Sequence, residues 1–151
     1  MTEFLLLKKT KGAADLPGFV LERASRRMKQ YFQEQLQKAG CGITIDQWVV
    51  LQELEKQDGL SQLEIAKATF KDAPTVTRII DLLCEKGLTR RSTDPEDRRR
   101  FQIELTDVGR TRIAEALPVI EQARQKTWQG FDEQKLENLM EMLNEVFENL
   151  K

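Results

Sequence analysis

Two short helix-forming segments lie only a few residues apart near the middle of the chain, and this close spacing constrains the fold more than any other feature. The first begins at Ser61 and the second at Asp72, and both side chains are of the kind that cap helices. Pro74 suits the first turn of the second segment, and Gly87 suits its end. The spacing predicts a helix-turn-helix, although an ordinary helical hairpin has the same pattern. The apolar positions are Leu63, Ile65 and Ala66, then Val76, Ile79, Ile80 and Leu83.

A run of alternating residues follows these two segments. Phe101, Ile103 and Leu105 alternate with Gln102 and Glu104, as they do in a strand with one buried face. A turn at residues 94–97 connects this run to the preceding "LTRRSTD". The pattern predicts a β-hairpin, and a hairpin directly after a helix-turn-helix is the wing of a winged-helix domain.

The turn of this hairpin is unusually rich in charge. Three arginines at residues 98–100 stand beside the acids Asp94, Glu96 and Asp97. Arginines on a wing tip can enter a narrow DNA minor groove, where the electrostatic potential is strongly negative. A neighbouring carboxylate can hold an arginine in one geometry through a bidentate pair. The alternative is a solvated turn whose charges only neutralise each other.

Helices are also predicted on both sides of this central region. Asp15 is expected to cap the first, with Pro17 in its first turn, and Thr44 with Gln47 forms a capping box for the second. Thr106 and Asp132 are expected to cap two further helices after the hairpin. Pro118, inside the first of these, should bend the helix or mark a break. The fold class is therefore mainly α with one small β-hairpin.

Composition argues against several other functions. The chain of 151 residues has no histidine, and its two cysteines, Cys41 and Cys84, lack the Cys-x-x-Cys spacing of metal sites, so we expect no metal and no cofactor. No glycine-rich phosphate loop and no nucleophile with a base is found, which argues against an enzyme. No apolar run is long enough to span a membrane, and the run at residues 4–7 lacks the features of a signal peptide. We expect one cytoplasmic domain without membrane contact.

The net charge of −1 does not argue against nucleic acid, because the charges are unevenly placed. Residues 132–151 contain six acids and only two lysines, so the rest of the chain is net basic.

Residues 75–110, "TVTRIIDLLCEKGLTRRSTDPEDRRRFQIELTDVGR", resemble the recognition helix and wing of the MarR family of bacterial transcription regulators. The similar features are Thr-x-Thr-Arg from Thr75, Lys-Gly-Leu from Lys86, and Asp-x-Arg at Asp97 and Arg99, followed by Leu-Thr at residues 105–106 and Gly109. Outside these residues, only the order of the helices and the chain length support the resemblance.

The resemblance implies a winged helix-turn-helix regulator, often a repressor, that binds pseudo-palindromic double-stranded DNA as a homodimer and is released by a small aromatic, anionic or lipid-like effector. It divides the single domain of residues 1–151 into a DNA-binding lobe at 44–105 and dimerisation helices at 15–39 and 106–151. In the lobe, Arg78 is implied to be the main base reader and Arg99 the minor-groove arginine, oriented by Asp97. The DNA-binding residues expected are Pro74, Thr75, Thr77, Arg78, Arg90, Arg91, Asp97, Arg98, Arg99 and Arg100.

The last helix carries a wide apolar stripe, which favours a partner helix but also suits burial within one chain. An effector pocket is expected among large side chains between the dimerisation helices and the lobe. Cys41, between two glycines, could instead be an exposed thiol that senses oxidants, and Cys84 is expected to fill space in the core. A helical dimeric adaptor that binds no DNA is a further alternative. The large side chains considered for the pocket are Met28, Tyr31, Phe32, Trp48 and Trp128.

Overall fold

The computed structural model of the chain describes residues 12–151, so the apolar run at residues 4–7 lies outside it. The described part contains a short 3-10 turn, six α-helices and one pair of strands. In chain order these are the turn Ala13–Asp15, α1 Pro17–Lys38, α2 Ile45–Lys56, α3 Gln62–Thr69, α4 Ala73–Glu85, β1 Thr89–Thr93, β2 Phe101–Leu105, α5 Asp107–Thr127 and α6 Glu133–Asn149.

Side-chain caps set the starts of α2 to α6. In each case the residue before the helix accepts a hydrogen bond from the backbone N–H three residues later, and these residues are Thr44, Ser61, Asp72, Thr106 and Asp132. The box at Thr44 is complete, because the Gln47 side chain also accepts from the Thr44 backbone N–H. A cap of this kind typically contributes about 1 kcal/mol. The sequence prediction is confirmed at all five positions.

The start of α1 differs from the prediction. Asp15 does not cap the helix, because it ends the 3-10 turn, and the residue at the cap position is Leu16. A residue that precedes proline is disfavoured in the helical region, and Leu16 is accordingly extended with φ −97° and ψ 120°. Pro17 therefore fixes the start of the helix.

The core is one cluster of buried residues contributed by α1 to α5, β2 and the loops between them. All four apolar positions predicted for α4, at Val76, Ile79, Ile80 and Leu83, are buried. Leu63 on α3 is exposed, contrary to the prediction, because Ile65 and Ala66 form the buried face of that short helix. Pro118 causes no break, since α5 is continuous from Asp107 to Thr127.

The predicted hairpin is present, with β1 and β2 antiparallel and Thr89 paired with Leu105 at its base. Ile103 and Leu105 are buried as expected, but Phe101 is 57% exposed. The lobe is hydrogen-bonded to β2 only as far as Ile103. The Ile103 backbone N–H donates to Leu60 O at 2.8 Å, and its carbonyl accepts from Gly59 N at 3.1 Å. Beyond that point the wing projects from the lobe, so Phe101 has no core to enter.

The base of the hairpin packs closely against the start of α5. A Cβ added to Gly109 would lie 2.1 Å from the carbonyl oxygen of Leu88. Thr106 secures the same junction, because its hydroxyl donates to Gly87 O at 2.6 Å and its backbone N–H donates to Leu88 O at 3.1 Å. Only glycine allows this approach of helix and strand.

Among residues 12–151, no helix combines the length and the hydropathy needed to cross a bilayer. The same residues contain no cluster of three or more His, Cys, Asp or Glu side chains arranged to hold a metal ion.

Candidate nucleic-acid interface

The first turns of α4 present a polar surface to solvent. Pro74, Thr77 and Arg78 are exposed, whereas Thr75 is half-buried. Asp72 orders this end of the helix by accepting from the Thr75 backbone N–H at 2.8 Å, and hydrogen bonds from Thr75 lower the pKa of Asp72 below its ordinary value. Three of the four residues predicted on this helix therefore share one accessible surface.

Thr77 also connects the two helices of the helix-turn-helix. Its hydroxyl lies 3.0 Å from Ala73 O and 3.4 Å from Gln62 Oε1, at the start of α3. Gln62 therefore lies next to the predicted base-contacting residues, although the sequence analysis did not predict it as a site residue. A fifteen-residue separation leaves no local pattern by which Gln62 could be found.

The wing turn is organised by its own carboxylates. Asp94 Oδ1 accepts from the Glu96 backbone N–H at 2.9 Å, and Asp97 Oδ1 accepts from that of Arg99 at 3.0 Å. Two backbone bonds close the turn, from Asp94 N to Arg100 O and from Arg100 N to Asp97 O. The acids therefore give the turn its shape as well as balancing its charge.

The structure pairs Arg99 with Asp97, as the sequence predicted. Arg99 Nε lies 3.3 Å from Asp97 Oδ1, while the Arg99 side chain remains 91% exposed. The contact uses Nε and one carboxylate oxygen, so it is not the bidentate pair that was expected. Arg98 and Arg100 are exposed on the same turn. The rest of the Arg99 guanidinium therefore remains accessible to solvent.

The two arginines at the base of the wing are engaged within the chain. Arg90 Nε donates to Glu104 Oε2 at 2.9 Å across the hairpin, and hydrogen bonds from Arg90 and Ser92 lower the pKa of Glu104. Arg91 pairs with Asp81 of α4, so the wing is tied to the recognition helix. These pairs were not predicted, and a phosphate contact by Arg90 or Arg91 would compete with them.

A charged triad fixes the turn that precedes α4. Asp46, in the first turn of α2, lies 2.8 Å from Lys71 Nζ and 3.0 Å from Lys29 Nζ of α1. Burial raises the pKa of Asp46, but the hydrogen bonds and charges of Lys71 and Lys29 outweigh it, so the pKa lies below its ordinary value. Lys71 follows Phe70, which is left-handed with φ 54° and 83% exposed. One carboxylate therefore holds α1, α2 and the entrance to the recognition helix together.

A sequence profile of the MarR family matches residues 43–101, which span the helix-turn-helix and most of the wing. The HTH-type transcriptional repressor IacR of Pseudomonas putida is 30% identical over 137 residues, covering 91% of this chain and 81% of the relative. The chain belongs to the MarR family. Members of this family are transcriptional regulators and not enzymes.

Solved MarR-family structures share the fold over nearly the whole length of this chain. BpsR of Bordetella bronchiseptica, whose DNA binding is regulated by 6-hydroxynicotinic acid, is 31% identical, with a TM-score of 0.82 and coverage of 91% of this chain and 96% of BpsR. S. aureus MepR, in complex with DNA, is 28% identical, with a TM-score of 0.79 and coverage of 88% of this chain and 97% of MepR. The chain is thus a winged-helix MarR-family regulator.

The large side chains considered for an effector pocket line two separate clefts in this MarR-family chain. The first, here called the lobe cleft, has a volume of about 330 Å³ and lies where α1 and α5 face α2 of the winged-helix lobe. The second, here called the aromatic cleft, has a volume of about 450 Å³ and lies between α1 and the end of α5. Met28 lines both. Phe32 and Trp48 line only the lobe cleft, and Tyr31 and Trp128 line only the aromatic cleft.

Cys41 differs from its predicted environment, whereas Cys84 packs against the core as expected but is only partly buried. Cys41 was considered as an exposed thiol but is only 7% exposed, and its carbonyl accepts from Arg112 at 3.1 Å. Cys84 is half-buried against the core, with its sulfur 3.3 Å from the Thr89 hydroxyl. Oxidant sensing by Cys41 is not favoured, because a sensor thiol must be accessible.

The first and last helices of the chain each expose several large apolar residues. No residue of α6 is buried in the described structure, and the large apolar side chains exposed there include Met140, Val146 and Phe147. Phe19 and Leu21 near the start of α1 are also exposed. Phe147 makes an edge contact with Phe70 at 5.9 Å between ring centroids. The stripe predicted on the last helix is therefore not buried by residues 12–151.

Proposed function

We propose that this MarR-family chain is a transcriptional repressor that binds a pseudo-palindromic DNA operator as a homodimer. The arrangement that carries the proposal is the exposed start of α4, with Thr77 and Arg78, next to a wing that presents Arg99. Arg78 would contact base edges in the major groove, and Arg99 would enter the adjacent minor groove. Arg98 and Arg100 would contact phosphates.

The division of the chain proposed from sequence fits this role. Residues 44–105 would bind DNA, and residues 15–39 and 106–151 would form the dimer through the exposed apolar residues of α1 and α6. A twofold axis would place two recognition helices about 34 Å apart, one turn of DNA. The repressor role is supported by the relative IacR, which is named as a repressor.

We further infer that a small aromatic acid binds the lobe cleft and releases the DNA. BpsR is regulated by 6-hydroxynicotinic acid, which has a carboxylate on an aromatic ring. The lobe cleft offers Trp48 and Phe32 for the ring and Lys29 and Arg124 for the carboxylate. It also includes Asp46, so a ligand in this cleft would touch the carboxylate that holds Lys71 and the entrance to α4.

Fluorescence anisotropy tests the DNA-binding proposal. The purified protein is titrated against duplex DNA from the region upstream of its own gene and against an unrelated duplex, at several salt concentrations. We expect tight binding to the first duplex, weaker binding to the second, and affinities that fall steeply with salt as counterions are released. No binding to either duplex at low salt would contradict the proposal and favour a dimeric adaptor.

The same assay tests the effector. Aromatic acids, with 6-hydroxynicotinate first, are added to the complex, and release of the duplex is followed. The Lys29→Met and Arg124→Met variants should require higher concentrations for release, whereas Lys38→Met, at the end of α1, should behave as the wild type. Equal sensitivity in all three variants would place the effector outside the lobe cleft.

A further inference from the structure

The aromatic cleft differs from the lobe cleft in its lining and in its position. It is formed by α1, the last turn of α5 and the connection to α6, and no residue of the winged-helix lobe lines it. Its volume of about 450 Å³ exceeds that of the lobe cleft. A ligand here would contact only the proposed dimerisation helices.

Three aromatic rings provide flat apolar surfaces in this cleft. Tyr31 comes from α1, and Trp128 and Phe131 come from the corner between α5 and α6. Trp128 and Phe131 meet edge to face, with 5.6 Å between ring centroids. Aromatic pairs favour this geometry, and a further planar ring can extend such a cluster. The lining therefore suits a planar aromatic ligand.

The charged side chains that line the cleft are both cationic. Arg27 and Lys126 line it, and no carboxylate is among its described lining residues. Lys135 Nζ lies 4.1 Å from the centre of the Phe131 ring, which adds a third cation beside the cluster. Of these cations, Arg27 also pairs with an acid, Glu34, at 3.1 Å, and this ion pair is exposed. The local charge therefore favours an anion.

The hydroxyl in the lining does not change this preference. Thr127 donates its hydroxyl hydrogen to Ala123 O at 2.7 Å, as a helical threonine commonly does. The cationic side chains are thus the main donors that a ligand carboxylate would meet. Arg27 also lies over the Tyr31 ring, 5.9 Å from its centre, so charge and aromatic surface adjoin.

We propose that the aromatic cleft is a second ligand site that binds an aromatic carboxylate, with its rings against Tyr31 and Trp128 and its carboxylate at Arg27 and Lys126. This site is separate from the effector site proposed in the lobe cleft, and it does not depend on DNA binding. The two clefts share one lining residue, Met28.

The two tryptophans of the chain make the proposal directly testable. Trp48 lines the lobe cleft and Trp128 lines the aromatic cleft, so each cleft has its own indole N–H resonance in a ¹⁵N NMR spectrum. Spectra of the Trp48→Phe and Trp128→Phe variants assign the two signals. The full-length protein is then titrated with 2-naphthoate, and with 2-naphthamide as a neutral ligand of nearly the same shape.

We expect 2-naphthoate to shift the Trp128 resonance in a saturable manner and 2-naphthamide to bind about tenfold more weakly, because it loses two charged contacts. Lys126→Met should weaken 2-naphthoate binding about threefold, while Lys38→Met leaves it unchanged. The proposal is overturned if the Trp128 resonance does not move, if only Trp48 responds, or if the amide binds as well as the acid. Since no DNA is present, these outcomes are independent of whether the protein is a repressor.

Discussion

At the residue scale, Arg99 shows how a carboxylate can direct an arginine without covering it. Asp97 contacts Nε and the backbone N–H of Arg99, and the side chain stays almost fully exposed. A side chain whose base is already held loses less rotamer freedom when it docks. The wing thus presents a partly ordered cation to solvent, where the proposed contact with the DNA minor groove would be made.

The first prediction concerns Arg99→Ala. Loss of the proposed minor-groove contact should weaken operator binding by about 1–3 kcal/mol without unfolding the dimer. Fluorescence anisotropy measures the affinity, and circular dichroism with sedimentation verifies that the protein remains folded and dimeric. Unchanged affinity in a folded variant would rule out the proposed role of the wing.

The second prediction concerns Arg78→Ala on the exposed face of α4. A residue that contacts base edges contributes to discrimination as well as affinity, so this change should also reduce the preference for the operator over unrelated DNA. Competition binding against operators with single base-pair changes measures the preference. If affinity fell equally for every duplex, Arg78 would be a phosphate contact instead.

The third prediction follows from the close approach at Gly109. Alanine generally favours a helix over glycine by about 1 kcal/mol, but overpacking costs about 1–3 kcal/mol. With Leu88 O only 2.1 Å from the added Cβ, and that atom belonging to the backbone, overpacking should prevail and Gly109→Ala should destabilise the fold. Urea unfolding measures the difference. Gly18→Ala on α1, which meets nothing within 4 Å, is the matched control and should be neutral or stabilising.

At the scale of secondary-structure elements, the Asp46 triad joins three separate parts of the chain through side-chain ion pairs. Lys29 lies on α1, Asp46 on α2, and Lys71 in the turn between α3 and α4. Any movement of that turn alters the position of Asp72 and the first turn of the recognition helix. The triad is therefore important for the geometry of the proposed interface.

The fourth prediction is that Asp46→Asn lowers stability in a pH-dependent way. The pKa of Asp46 is depressed in the folded protein, so its stabilising effect is present above the unfolded pKa of about 3.9 and is lost as the pH falls through the folded value. We expect a loss of about 1 kcal/mol near neutral pH, which shrinks below about pH 4. Urea unfolding at several pH values measures it, with the exposed Glu55→Gln of α2 as control. A difference that is constant with pH would show that the charge of Asp46 is not responsible.

The elements that sequence predicted well are those fixed by local signals. The caps at Thr44, Asp72 and Thr106 act within three residues, and the apolar spacing of α4 identifies its buried face without knowledge of its neighbours. Asp97 and Arg99 are two residues apart, so their pairing was also foreseeable.

The features that sequence missed depend on distant parts of the chain. Phe101 continues the apolar alternation of Ile103 and Leu105, but its exposure is decided by where the backbone of Leu60 stops supporting the strand. Lys71 and Asp46 are twenty-five residues apart, and Arg91 and Asp81 are ten. From the sequence alone, neither separation indicates that these particular charged residues form a pair.

At the scale of the whole molecule, the exposed apolar side chains of α6 and α1 require an explanation. Exposed apolar patches of this kind commonly mark interfaces between proteins. The contact between Phe147 and Phe70 places the end of α6 beside the turn that precedes the recognition helix. A dimer built on α6 would therefore be connected to the DNA-binding surface through this contact.

The fifth prediction tests the dimer through Met140→Glu, since Met140 is 62% exposed on α6. A charge in a twofold interface is buried twice, and the loss of two methionine contacts alone should weaken dimerisation by at least about a hundredfold. Sedimentation equilibrium measures the association, and anisotropy should show a parallel loss of operator affinity. Asn138→Glu on the same helix adds the same charge and should leave the dimer intact. If Met140→Glu also remained a dimer, the two chains would associate through another surface.

The composition of the wing turn has a consequence for the search for an operator within a genome. Its three arginines stand beside three carboxylates, so the tip is formally neutral before it meets a groove. A purely cationic tip would bind any phosphate backbone, and a chromosome offers about a million or more competing sites. The internal acids reduce this indiscriminate attraction while they keep Arg99 in place. If the wing enters the minor groove as proposed, its charge balance would raise the ratio of specific to random DNA occupancy at some cost in total affinity.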